Sequence, residues 1–276
     1  MTRKAAATSF PLFVPATRPD RIAKACAAGT DTVVIDLEDA VAPTDKTQAA
    51  DGLRAVELPP GDTALFLRIN GVGTPWFAKD IEIAGRVGID GIVLPKAEYP
   101  DQIIQIRNAV PQGMAIFALI ETARGLNNAT SIAAACDRLV FGSIDYSADI
   151  GCAHTPTALL HARSTLVVAS RLAGLPGPID GVTTGIDRPD LIRDDAAHGN
   201  ELGFRGKLLI HPKQLASAIE GYRPDEDTLA WAHRILAAAS GGDAVAVDGE
   251  MVDKPVIDRA RSILDLNESL NAKAAL

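Results

Sequence analysis

The chain has 276 residues, 47% of them hydrophobic, and no apolar run near the roughly 20 residues a membrane span requires, a profile ordinary for a soluble globular protein. A formal charge of −8 argues against a nucleic-acid protein but leaves room for a local basic groove around an anionic ligand. Cys26, Cys136 and Cys152 are odd in number and lack metal-type spacing, which points to reduced thiols in a cytoplasm; the opening MTRKAAATSFPLFVPAT has no sustained apolar core, so no export signal is read.

Short β-type runs recur along the chain, each followed by a stretch of helical character. They are Phe10–Val14, Thr32–Asp36, Ala64–Ile69, Gly91–Leu94, Ala115–Ile120, Arg138–Phe141, a weak run at Asp180–Thr183, and Leu208–Ile210. Between them lie helical segments such as Asp20–Ala28, Trp76–Arg86, Pro100–Ala109, Thr130–Ala135, Thr157–Ala173 and Arg188–Leu202. Apolar strands alternating with amphipathic helices indicate a parallel sheet covered on both faces. Eight such runs, in a chain of this length, predict an α/β protein of the (β/α)8 TIM-barrel type over residues 1–222. Residues 223–276 then read as a C-terminal helical extension: a helix at Asp225–Ser240, a break at Gly241-Gly242-Asp243, an extended Ala244–Val247 and a last helix at Lys254–Leu266, with Pro255 in its first turn. So short a tail must pack on its own barrel or on a neighbour's.

In such a barrel the active site lies where the strands end. The polar residues fall there: Asp36, Glu38 and Asp39 after the second run, Arg68 and Asn70 at the third, Lys96 after the fourth, Glu121 at the fifth, Asp145 after the sixth and His211 at the eighth. Glu121 and Asp145, on adjacent strand ends, form a candidate metal pair, and two hard oxygen ligands favour Mg²⁺ or Mn²⁺ over zinc or copper. The alternative is a rim network in which these acids pair with Arg68 or Lys96. Arg68 suits a bidentate grip on a carboxylate, whether a substrate's or that of Asp36 or Glu38. Asp149 reads as a ligand or, preferably, a cap of the segment that follows it. His154, His161, His198 and His233 read as surface or packing residues, and His211 as a loop-fixing group.

The motifs LFVPA, IDLEDAV, LRIN, LPK, IET, FGSIDYSADIG, GKLLIHP and MVDKP occur in the order and spacing of the citrate lyase β-chain-like family, CoA-ester lyases of the wider HpcH/HpaI aldolase superfamily, which the chain resembles over about residues 8–265. The resemblance implies a Mg²⁺-dependent barrel that makes or breaks the carbon–carbon bond between an acyl-CoA thioester and a 2-oxo acid, with malyl-, citramalyl- or citryl-CoA as the kind of substrate. It implies Glu121 and Asp145 as metal ligands and Arg68 as the residue contacting the oxo acid and the thioester oxygen. Asp36, Glu38 and Asp39 become the acidic cluster that orients water and charged groups, with Lys96 beside the substrate. Asp253 of MVDKP matches an acid/base aspartate that a mobile tail contributes to a neighbouring subunit in a homotrimer or hexamer. Two departures are visible: Thr8-Ser9 stands where relatives often have Arg-Ser, a position tied to a CoA phosphate. Asp39 stands where the aldolase branch has a proton-transferring histidine, which favours the thioester lyase branch. The rival functions are a CoA-independent metal-dependent 2-oxo acid aldolase, and the β chain of a citrate lyase complex acting on an acyl-carrier-protein thioester.

Overall fold

Six of the extended runs pair as one parallel sheet in strict chain order: β1 (Pro11–Pro15), β2 (Thr32–Asp36), β3 (Ala64–Arg68), β4 (Gly91–Leu94), β5 (Ala115–Ile120) and β6 (Arg138–Phe141). The computed structural model describes residues 3–239, 245–247 and 250–274, and it divides into two units, Met1–Gly221 and Tyr222–Leu276. In the first unit every strand-to-strand connection carries helix or helical turn, as parallel pairing demands. β2, β4, β5 and β6 are buried at every position, which is why they read as continuous apolar runs rather than alternating ones.

The inward side chains Val34, Phe66, Val93, Phe117, Leu119 and Val140 make the core of this unit, with Ile179 and Leu208 from beyond the sheet. Phe66 and Phe117 pack with ring centroids 4.5 Å apart. Gly91 makes room for them: a Cβ there would stand 2.7 Å from Phe66 Cζ.

The seventh and eighth runs are not strands of the sheet. They carry single parallel bridges instead, Val140 to Ile179, Asp180 to Lys207 and Leu12 to Leu209. Their side chains explain the difference. Asp180 Oδ1 accepts the Gly181 N–H (2.8 Å), and Lys207 Nζ donates to the Gly181 carbonyl (2.8 Å), so neither backbone group enters a ladder. One buried amide spans the next gap, Gln214 donating to the Thr183 carbonyl (2.8 Å) and accepting from the Ile210 N–H (2.9 Å). Backbone bonds still join these runs to their neighbours, Phe141 N–H to the Ile179 carbonyl (2.9 Å), Leu208 N–H to the Asp180 carbonyl (2.9 Å) and Leu209 N–H to the Pro11 carbonyl (2.8 Å), and the side chains satisfy the groups that such short pairing leaves over.

That polar cluster continues to Arg163, whose guanidinium bridges Asp180 and Asp195 at 2.9 and 3.0 Å. Burial alone would raise the Asp195 carboxyl, but Lys207 at 2.6 Å, the Thr183 hydroxyl at 2.6 Å and Arg163 hold it down to about 2. A folded-state value below the unfolded one gives stability that is complete above about pH 4 and is lost as pH falls toward 2. Asp195→Asn should therefore flatten the fall in melting temperature between pH 4 and pH 2; an unchanged acid limb would contradict this reading.

The second unit has its own small core. Helices Glu226–Ala238 and Lys254–Ala274 meet through Ala232, Ile235 and Ala260, with Arg259 over the Trp231 ring at 5.2 Å, and β7 (Val245–Val247) pairs antiparallel with β8 (Glu250–Val252), whose Val252 joins the same cluster. The last helix is longer than the expected Lys254–Leu266, because its apolar spacing persists past Leu266 to Leu270. The expected break at Gly241-Gly242-Asp243 lies outside the described residues.

Candidate active site

Register places the first pair. Asp36 ends β2 and is the partner of Arg68, which ends β3, so the two side chains leave the sheet at one edge. The guanidinium takes the carboxylate through two bonds, Nε to Oδ1 at 2.8 Å and Nη2 to Oδ2 at 2.6 Å, with the side chains 12% and 2% exposed. The same carboxylate accepts the backbone N–H groups of Glu38 (2.8 Å) and Ala40 (3.1 Å), which wraps the loop after β2 around it. Arg68 Nη1 stays 3.1 Å from Glu38 Oε2 and 3.6 Å from Asp39 Oδ2, and the guanidinium lies over the Phe13 ring at 4.8 Å. Burial opposes the charge on Arg68, but Asp36, Glu38 and Asp39 together hold it protonated well above the ordinary arginine value. Arg68 thus neutralises the acidic cluster that follows β2.

Behind this clamp sits Lys46, a buried ammonium that donates to the Leu37 (2.9 Å) and Glu38 (2.7 Å) carbonyls and lies over the Trp76 ring. Asn70 Nδ2 also donates to the Leu37 carbonyl (3.2 Å) and is itself held by Asp80 (2.7 Å). The Leu37–Glu38 peptide is therefore fixed at both ends, its carbonyl toward Lys46 and its N–H toward Asp36. Nothing in the sequence singled out Lys46, which reads as an ordinary helix lysine.

Lys96 follows β4 and is the only non-glycine residue with positive φ (48°) among the described residues. Its N–H donates to Glu121 Oε1 at 2.7 Å, while its half-exposed ammonium donates to Glu38 Oε1 at 2.6 Å. Burial raises the Glu38 carboxyl above its ordinary value despite these two cations. Glu121 follows β5 directly and is 2% exposed. Burial first, then the charges of Glu38 and Asp145, push its carboxyl up to about 8. Its side chain crosses Gly142, where a Cβ would stand 2.5 Å from Glu121 Cβ and strike Oε2, so only glycine fits. Asp145 sits in the first turn of helix Ser143–Ile150, which starts straight after β6 and Gly142.

These groups surround a cavity of about 430 Å³. Asp36, Asp39, Arg68, Glu121, Ser143 and Asp145 supply its polar wall, and Phe13, Leu119, Phe141, Ile144, Val182 and Leu208 its apolar one. Glu38 and Lys96 stand behind that wall rather than on it. Asp253 belongs to the second unit, where it is exposed and its Oδ1 accepts the Val256 N–H (3.4 Å) at the start of the last helix.

The pair Glu121 and Asp145 fits a hard divalent cation. Both donors are carboxylate oxygens, and Glu121 Oε2 accepts no hydrogen bond among the described residues. A buried carboxyl raised to about 8 also lacks the positive charge that an ion would supply. No third His, Cys, Asp or Glu completes a cage among the described residues, which suits an ion of the magnesium class, because that ion keeps several waters.

Asp149 is a cap, but of a different segment from the one expected. Its Oδ2 accepts the Ala123 N–H (2.7 Å) at the start of the helix after β5, because helix Ser143–Ile150 brings it back over that strand end. His211 Nδ1 accepts the Lys213 N–H (3.2 Å) and so fixes its loop. His154 is exposed, yet its Nε2 lies 2.9 Å from Ser143 Oγ on the cavity wall, a contact that separation in sequence concealed. Thr8 and Ser9 precede β1 and lie at the opposite end of the strands from the cavity: the Ser9 N–H donates to Asp31 (2.9 Å) before β2 begins.

Known proteins resemble this chain over nearly its whole length. A citrate lyase subunit beta-like protein of Deinococcus radiodurans is 36% identical over 271 residues, covering 92% of this chain and 95% of that one. A (3S)-malyl-CoA thioesterase of Cereibacter sphaeroides is 31% identical over 275 residues, 96% of each. The crystal structure of CitE from Mycobacterium tuberculosis in complex with magnesium, acetoacetate and coenzyme A superposes with a TM-score of 0.84 at 35% identity, covering 96% of this chain and 99% of that one. With residues 9–212 also matching the model of the family, the chain belongs to the HpcH/HpaI aldolase/citrate lyase family.

Proposed function

We propose that this protein is a magnesium-dependent carbon–carbon lyase that cleaves, or forms, a β-hydroxyacyl-CoA thioester of the malyl, citramalyl or citryl type, giving an acyl-CoA and a 2-oxo acid. One observation carries the reading: Glu121 and Asp145 share a single cavity wall with the Asp36–Arg68 clamp, so an oxygen-binding cation and a fixed guanidinium address the same space. The relative whose structure holds magnesium, acetoacetate and coenzyme A, and the malyl-CoA thioesterase, support the same ligand chemistry.

Glu121 and Asp145 would hold the magnesium, which would supply the charge that acidifies a hydroxyl and polarises oxygens of the substrate. Arg68, oriented by Asp36, offers Nη1 to the carboxylate and to developing oxyanion charge. Asp39, on the cavity wall beside Arg68, takes the hydroxyl proton as the carbon–carbon bond breaks, the electron pair of that bond passing to the thioester enolate, while Glu38 holds Arg68 from behind the wall. Lys96 balances the charge of Glu38. Asp253 protonates the enolate carbon, and in the reverse direction removes that proton.

The three bridges beyond β6 support closure of residues 1–222 into a full (β/α)8 barrel. Residues 223–276 are then a C-terminal extension that packs on a neighbouring subunit of a homotrimer or hexamer and delivers Asp253 to its cavity. Three unpaired cysteines suit the cytoplasm, and no described helix is long and apolar enough to cross a membrane. No nucleic acid or membrane is among the partners, which are the acyl-CoA thioester and the 2-oxo acid.

A panel of hydroxyacyl-CoA thioesters and free hydroxy-oxo acids, assayed with Mg²⁺ for 2-oxo acid and for free CoA, tests the function. Release of a 2-oxo acid with intact acyl-CoA from at least one thioester is expected. Cleavage of the free acids alone would replace this reading with the aldolase. Activity only on a carrier-protein thioester would replace it with the β chain of a citrate lyase complex.

A further inference from the structure

Resting on the magnesium reading of the cavity, we infer that the left-handed backbone of Lys96, and not its ammonium group, sets how Glu121 presents itself to the ion: the Lys96 N–H occupies Oε1 and leaves Oε2 as the ligand oxygen. Lys96 acts here as a positioning residue.

A φ of 48° is disfavoured for a residue with a Cβ, and such a conformation persists only where its surroundings over-determine it. On one side Lys96 is tied to β4 through Pro95; on the other the Ala97 N–H donates to the Leu119 carbonyl of β5 (3.1 Å). With both flanks fixed, a return to negative φ would have to rotate the Pro95–Lys96 peptide, which carries the N–H that meets Glu121 Oε1 at 2.7 Å. The two oxygens of Glu121 are thereby made unlike. Oε1 is engaged by a main-chain donor, whereas Oε2 accepts no hydrogen bond among the described residues and lies against Gly142, where no side chain can cover it. The ammonium has a different partner, Glu38 Oε1 at 2.6 Å, so side chain and main chain of the same residue serve different acids. Fixing one oxygen of a ligand through a hydrogen bond is the usual means by which outer groups orient a metal site.

The test uses Mn²⁺ as a spectroscopic stand-in for Mg²⁺, its binding followed by electron paramagnetic resonance. Lys96→Asn and Lys96→Thr are both polar and uncharged, but asparagine tolerates the left-handed region and β-branched threonine does not. Lys96→Asn should bind Mn²⁺ within about threefold of the parent, and Lys96→Thr about tenfold or more weakly. Lys96→Met keeps the unbranched stem and should bind at least as tightly as the parent, since a positive charge near the ion is gone. Should Lys96→Thr fail to fold, Lys96→Met decides: weakened binding there would give the role to the ammonium and overturn the inference. Equal affinities for folded Lys96→Asn and Lys96→Thr would overturn it too. Glu121→Gln separates the two levels. Its loss of Mn²⁺ binding is expected, and parent-like binding would remove the metal reading of the cavity together with this inference.

Discussion

Glu121→Gln and Asp145→Asn should each lower Mg²⁺-dependent turnover by about a thousandfold or more, while leaving the fold in place. Either change replaces a carboxylate by an amide of the same shape, so packing against Gly142 and the Lys96 N–H survives and only the anionic oxygen is lost. Glu121→Gln should even be mildly stabilising, because a buried carboxyl raised to about 8 no longer has to carry or shed a proton. Steady-state kinetics over a Mg²⁺ titration, paired with thermal melts, check both halves. Parent-like turnover in either variant, or in excess chelator, would remove the metal from the mechanism.

Asp253→Asn should be inactive by itself and should regain activity when mixed with the equally inactive Glu121→Gln chains. Asp253 is exposed, and within its own unit its bonds do no more than begin a helix, which leaves its carboxyl group open to solvent. If a site takes its cavity from one chain and its tail from another, equal mixing restores both intact halves in roughly a quarter of the sites. Activity measured before and after subunit exchange, with exchange confirmed by mass, is the readout. No recovery after complete exchange would place both residues in one chain's site, or Asp253 in none.

Much of the site could be read before the structure because strand ends are a place where sequence position and geometry coincide. Arg68 closes an apolar run and Asp36 closes the run before it; in a parallel sheet that alone makes them neighbours. Glu121 stands directly behind β5 for the same reason. Positions beyond the strand ends were harder. Lys46 lies in a helix and reaches back to the loop after β2, and His154 touches Ser143 from eleven residues away; neither shows a periodic signal. Gly142 could have been suspected, being a glycine that separates a buried strand from a helix start, but its reason, the side chain of Glu121, is visible only in three dimensions. The runs around Asp180 and Leu208 were legible as extended chain. What was not legible is that Lys207 and Gln214 take the Gly181 and Thr183 carbonyls, so that these runs pair with their neighbours over only a few backbone bonds.

The function proposed requires a divalent ion that joins Glu121 and Asp145 and holds a 2-oxo acid against Arg68. Crystals soaked in MgCl₂ and oxaloacetate test it most directly. Density for an octahedral ion on Glu121 Oε2 and an Asp145 oxygen, with the oxaloacetate completing its shell and reaching the guanidinium, is the expected result. An ion and ligand bound away from this cavity, with both carboxylates turned elsewhere, would contradict it.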